Sequence, residues 1–116
     1  MTHMFATRPR DALLAALLPH AGPFVTVAAT SRAWASGLFD GARHRIAIRL
    51  EGEDAAARAA QMAATLPEAD LPIPRGFVAD LQVTGRLEGE TVIVAIEALT
   101  IDDAVEEISR VARRAG

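Results

Sequence analysis

Cysteine, lysine, asparagine and tyrosine are absent from this chain of 116 residues, and there is a single tryptophan. Without cysteine, disulfides and thiol chemistry are excluded. Every basic residue other than histidine is therefore arginine. Selection for rigid bidentate contacts would produce that pattern, and so would codon bias in an alanine- and arginine-rich genome. No apolar run approaches the roughly 18 residues a membrane span needs. Aromatic residues make up only 4 % of the chain and the net charge is −3, so neither base stacking nor a concentrated basic surface argues for nucleic-acid recognition.

What is present reads as one domain, 1–116, of the α+β class. Residues 1–9 read as a loose leader. Ala12 to Leu18 follows Arg8 and Arg10 as a secretory signal would, but Asp11 interrupts the approach and no small-residue cleavage site follows. A folded helix of a cytoplasmic protein fits better. Asp11 is placed to cap it, Leu13, Leu14, Leu17 and Leu18 share a face, and Pro19 with Gly22-Pro23 stops it.

Phe24 to Ser36 alternates as a strand, with Val25, Val27, Ala29, Ala33 and Ala35 on one parity and Thr26, Thr30, Arg32 and Trp34 on the other. A bulge or an end is expected near Thr30, and Gly37 to Gly41 reads as a loop. In the second strand His44, Ile46, Ile48 and Leu50 face one way, and Arg43, Arg45, Ala47 and Arg49 the other. A helix follows from about Asp54 to Leu66, packing through Ala55, Ala59, Met62, Ala63 and Leu66 and ended by Pro67. Leu71 to Pro74 must be extended, because each proline disfavours helix in the residue before it. A third strand places Phe77, Leu81, Val83 and Leu87 inward, with Asp80, Gln82, Thr84 and Arg86 outward. It turns at Glu88-Gly89-Glu90, where Gly89 supplies positive φ. The fourth strand, Thr91 to Ala98, is apolar on both parities apart from Glu97 and reads as central and covered on both faces. A C-terminal helix, 102–116, carries Ile101, Val105, Ile108 and Ala112 as its stripe, with acidic residues early and arginines late. The expected order is thus α-β-β-α-β-β-α, with a four-stranded, mainly antiparallel sheet.

Nothing in this order groups a nucleophile, an acid–base pair or a metal cage. None of His3, His20 and His44 lies three or four residues from another histidine or a cysteine, and no cofactor or metal is expected. Ser31, Ser36 and Ser109 lack a nucleophile-elbow context. His44 reads as a hydrogen-bonded, half-buried residue at a strand start; as a general base it would need a positioned partner. Arg43, Arg45 and Arg49 form either a wet sheet face or a polar interface. Trp34 is either core beneath the last helix or an interface anchor.

The ordered landmarks resemble the small tail-completion or tail-terminator proteins of long-tailed phages, prophages and gene transfer agents. Those proteins open with a helix and a Pro-x-Val strand, matched by Pro23-Phe24-Val25. A tryptophan segment and a Gly-x-x-His-Arg strand follow, matched by Trp34, Gly41 and His44-Arg45. An alanine-rich helix is matched by Ala55 to Ala64, and a Leu/Pro segment before a Val-x-Leu strand by Leu71 to Pro74 and Val78 to Leu81. The resemblance covers Asp11 to Thr100. Arg43 stands where the family commonly has an acidic residue, the first helix–strand loop is shorter, and the C-terminal helix is an addition.

The resemblance implies a structural role without catalysis. A ring of copies, typically hexameric, would cap the tail tube and join it to the head connector. Assembly would occur in the cytoplasm and the product would reside in the virion or phage-like particle. Its contacts would use strand edges, the Gly37–Gly41 loop and flanking helices. The interface residues expected on this basis are Trp34, Phe39, Asp40, Arg43, Arg45, Arg49, Asp80 and Arg86, with the arginines pairing Asp80 or Glu97 between copies. Two rival functions fit a small α+β domain: a ferredoxin-like ligand-binding or regulatory module, and a small isomerase-like enzyme using His44 or Asp80.

Overall fold

The computed structural model describes residues 8–102. Two helices, α1 (Pro9–Ala21) and α2 (Ala55–Thr65), lie on one face of a sheet. Its strands are β1 (Val25–Ser36), β2 (Phe39–Leu50), β3 (Gly76–Glu88) and β4 (Thr91–Asp102). The class is α+β and the order is α-β-β-α-β-β. All pairings are antiparallel and the sheet order is β1-β2-β4-β3. The link β2–α2–β3 is a split β-α-β unit, because β4 lies between two strands that run the same way. The element order is a cyclic shift of the β-α-β-β-α-β ferredoxin-like order. Residues 103–116, assigned above to the last helix, and residues 1–7 of the leader fall outside the described residues.

Both hairpins turn on two residues, Gly37-Leu38 and Gly89-Glu90, with glycine first and at positive φ, 57° and 63°. That placement suits the primed turns whose twist matches paired strands. The turn at Gly89 is the one expected. The loop expected over Gly37 to Gly41 is shorter than read, because Phe39, Asp40 and Gly41 already pair with Ser36, Ala35 and Trp34.

Hydrophobic burial joins the two layers. Leu13, Leu17 and Ala21 of α1, and Ala55, Ala59 and Met62 of α2 with Leu66 beyond it, pack on Ile46, Ile48, Leu50, Val92, Val94 and Ile96. Burying a leucine or isoleucine fully contributes about 1.5–3 kcal/mol. Alanines in α2 let the helix approach closely, and a Cβ added at Gly85 would touch the Ala59 Cβ at 3.6 Å. Ala63, expected in that face, is exposed. Arg58 ties the helices together. Its Nε and Nη2 donate to the Ala21 carbonyl at 2.8 and 2.6 Å, and Nη2 also donates to the Pro23 carbonyl. The end of α1, where carbonyls lack helical partners and the dipole is negative, is thereby satisfied by a cation.

Several expectations give way to the structure. Pro9 opens α1 rather than closing a leader, and Asp11 lies in the first turn with Arg8 at the cap position. A proline at the start of a helix loses no bond, since that N–H has no helical acceptor. Pro19 sits inside the helix; α1 stops at Gly22, whose N–H donates to the Leu18 carbonyl at 2.9 Å. Leu18 is exposed, because the buried stripe runs along Leu13, Leu17 and Ala21 with Ala12.

Strand parity shifts at two bulges. One follows Thr26, three residues earlier than the site near Thr30, and the other follows Val78. An extra residue reverses which side chains face the helices. Thr26 therefore takes the parity of Ile48, Val25 joins Arg49 on the opposite face, and Phe77 faces away from the helices beside Ile101. Strand β4 is central, as read, but among the described residues nothing covers its second face. It also continues through Leu99, Thr100, Ile101 and Asp102, so the expected helix does not begin at Asp102.

Candidate interaction face

The register assembles a continuous surface on the side of the sheet that nothing covers among the described residues. Directly opposed residues of antiparallel strands point to the same face. One row across the strands is Trp34, Gly41, Ile101 and Phe77. The next is Arg32, Arg43, Leu99 and Asp80, then Thr30, Arg45, Glu97 and Gln82, then Ala28, Ala47, Ala95 and Thr84, and last Val25, Arg49, Ile93 and Arg86. Phe39 extends the aromatic end beyond Trp34, across from Ser36.

Of the expected interface residues, this face collects Trp34, Phe39, Arg43, Arg45, Arg49, Asp80 and Arg86. Asp40 is the exception: it pairs with Ala35 on the helix-side parity. Trp34 is half-buried on the open face, so it is not core on the helix side; the last helix that was to cover it lies outside the described residues. Phe39 is 47 % and Phe77 52 % exposed, large apolar areas left in water. Glu97 lies 3.3 Å from Arg45 of its own chain. Arg86 pairs with Glu88 at 3.1 Å and Arg49 with Glu51 at 3.8 Å. All these pairs are exposed, so each contributes at most about 1 kcal/mol. A shallow hollow of about 170 Å³ lies among Arg43, Arg45, Asp80, Gln82, Glu97 and Leu99.

On the opposite face, the helix end of the sheet buries a polar chain. His44 is 1 % exposed, mid-strand and deeper than the half-buried position expected of it. Its Nδ1 lies 2.7 Å from Ser31 Oγ and its Nε2 2.9 Å from Thr100 Oγ1. Thr100 Oγ1 in turn lies 3.4 Å from the Ala42 carbonyl. One tautomer satisfies every group: Nε2–H donates to Thr100, the Thr100 hydroxyl donates to Ala42, and the Ser31 hydroxyl donates to Nδ1. Burial, and then the nearby Arg10 guanidinium, hold the imidazole below its ordinary pKa and so favour the neutral ring. Ser31 and Thr100 were not read as its partners. The signal available in the sequence was parity: Ser31 shares a face with Ala29, and Thr100 with Ala98.

His44 and Asp80, the two residues of the isomerase reading, lie on opposite faces of the sheet. An open cleft of about 680 Å³ lies at the far end, between the β2–α2 connection and the second hairpin, lined by Glu51, Glu53, Leu87, Glu90 and Thr91. Among the described residues, no cluster of histidine and carboxylate side chains could hold a metal ion, and no helix is long and apolar enough to cross a membrane. No family model, curated protein or solved structure matches the chain.

Proposed function

We propose that this chain is an assembly protein of the tail-terminator kind. Copies of it form a ring that closes a tail tube and joins it to a head connector, and they transform no substrate. One observation supports the reading: residues drawn from all four strands, with aromatic residues at one end and arginines along the rest, share a single sheet face that nothing covers among the described residues. Aromatic residues and arginine are the types enriched where proteins meet. The sequence landmarks from Pro23 to Leu81 supply the kind of assembly.

Deleting the gene in a particle-producing host and imaging the lysate tests this. Heads and tails should accumulate unjoined. Normal joined particles would sink the proposal.

The cyclic relation to the ferredoxin-like order keeps a ligand-binding module as the second reading. Native mass spectrometry of the purified chain separates the two. A retained small molecule favours the module, and a bare oligomer favours assembly.

A further inference from the structure

The sheet ends in two long strand edges that run in opposite directions. Its order is β1-β2-β4-β3, so β1, of 12 residues, and β3, of 13, lie at the edges. Among the described residues neither meets a further strand. An edge strand presents unpaired N–H and C=O groups to whatever adjoins it, and natural sheets blunt such edges with lysine, proline or other charges. Neither strand contains lysine or proline, and Arg32 is the one charged residue of β1. Every pairing in the sheet is antiparallel, so β1 and β3 run in opposite senses. The β3 edge of a second copy in the same orientation therefore meets β1 as an antiparallel neighbour, with the helices of both copies on one side.

The rows across the sheet supply a register. Trp34 and Phe77 end one row, Arg32 and Asp80 the next, and Thr30 and Gln82 the third. When the rows of two copies run on without a step, Trp34 meets Phe77 of the next copy, Arg32 meets its Asp80 and Thr30 its Gln82. An aromatic pair, an opposite-charge pair and a hydrogen-bonding pair then coincide on one face. The bulge after Val78 fits this register: Phe77 and Asp80 stand opposite Ile101 and Leu99, which are spaced in β4 as Trp34 and Arg32 are in β1. A slip by one row sets Arg32 beside Gln82 or Phe77 and loses the ion pair. Two β1 edges offer Arg32 no acidic partner, since β1 contains none. In β3 the one basic residue, Arg86, is already paired with Glu88 at 3.1 Å. Arg10 Nη1 donates to the Ala29 carbonyl at 3.2 Å, so the stretch of β1 assigned to the contact is the one beyond it, Thr30 to Trp34. We infer that the β1 edge of one copy pairs with the β3 edge of the next in this register, a head-to-tail contact that extends the sheet from copy to copy. It rests on the part of the assembly reading in which copies meet one another, and specifies which edges meet.

The absence of cysteine makes the contact testable by disulfide trapping in the full chain. Thr30→Cys and Gln82→Cys lie at exposed positions at the two ends of one row, and circular dichroism checks that each variant folds. Within one copy these positions are three strand spacings, about 14 Å, apart, beyond the roughly 7 Å that a disulfide spans between Cα atoms. Directly opposed residues of neighbouring strands lie within that reach. Under mild oxidation a mixture of the two single variants should give a disulfide-linked dimer. Either variant alone should give none, and the double variant should give a ladder of higher oligomers. Adding Arg32→Asp to the Thr30→Cys chain should lower the yield several-fold, and adding Asp80→Arg to the Gln82→Cys chain as well should restore it.

Dimers from Thr30→Cys alone would mean that β1 meets β1, and dimers from Gln82→Cys alone that β3 meets β3; either overturns the inference. So does absence of product from the mixture, whether the edges are taken by the chain's own terminal segments or left bare, and so does failure of the charge exchange to restore the yield. Oligomers seen by sedimentation without the trapped dimer would remove this contact and leave the assembly reading standing. The trapped dimer, alongside normally joined particles from a host lacking the gene, would leave the contact standing and remove the tail-terminator role.

Discussion

Arg58 is the side chain whose removal the structure makes most quantitative. Its guanidinium holds the last carbonyl of α1, Ala21, from two nitrogens, reaches the Pro23 carbonyl, and touches the Glu51 carbonyl at 3.4 Å. Ala21 itself is buried, so no water replaces the lost donor readily. Hydrogen bonds to a charged group contribute about 1.5–3 kcal/mol, and the favourable position at a helix C-terminus adds up to about 1 kcal/mol. The ion pair with Asp54 at 3.6 Å is exposed on the carboxylate side and adds about 0.3–0.5 kcal/mol.

Arg58→Met keeps most of the stem and removes the fork. It should cost about 2–3 kcal/mol, read in urea titrations as a lower midpoint at unchanged slope, and as a melting temperature lower by roughly 8–15 °C. Arg58→Lys restores one charge but not the planar fork and should recover less than half. Asp54→Ala should cost no more than about 0.5 kcal/mol. A loss below about 1 kcal/mol for Arg58→Met, or an equal loss for Asp54→Ala, would refute the claim that this guanidinium fastens α1 to α2.

Three further outcomes follow from His44, Gly41 and Met62. Because the His44 pKa is depressed in the folded state, the unfolded chain binds the proton first. That stability is fully present above about pH 6.5 and is lost as pH falls toward the folded pKa, with a slope of at most about 1.4 kcal/mol per pH unit. Urea titrations from pH 7.5 to 5.5 should show the fall in the native chain and a flatter profile in His44→Gln; identical profiles would remove His44 as its source. A Cβ at Gly41 would overlap the Thr100 carbonyl, so Gly41→Ala should force β4 away from β2, with increased hydrogen exchange at Ala42 and Thr100, while unchanged exchange would contradict the close approach. Met62 is fully buried between helix and sheet, and Met62→Ala should cost about 2–5 kcal/mol by chemical denaturation.

Local features were legible where local chemistry decides them. Alternation in β2 placed His44, Ile46, Ile48 and Leu50 together, Gly89 marked its hairpin, and Ala55, Ala59, Met62 and Leu66 marked the packing side of α2. The first hairpin was less legible. Reading Gly37 to Gly41 as a loop concealed the two-residue turn, and with it the register that sets Arg43 beside Arg32 and Arg45 beside Thr30. The bulges left no distinct signal, because an extra residue in an edge strand costs little and is set by how the strand must twist against its neighbour. Phe77 changed faces for that reason.

By itself, then, the order of residues determined the class of the fold, the order α-β-β-α-β-β of the described elements, and the apolar side of α2 and β2, because the period of burial is written into adjacent positions. Only the tertiary structure decided that His44 meets Ser31 and Thr100, 13 and 56 positions away. Only it decided that Asp80 lies across the sheet from that imidazole, and that one face of β4 is uncovered among the described residues. An apolar strand reads the same whether its second side meets a helix, another molecule or water. What covers a surface depends on where distant segments go, and that is settled by packing rather than by local sequence.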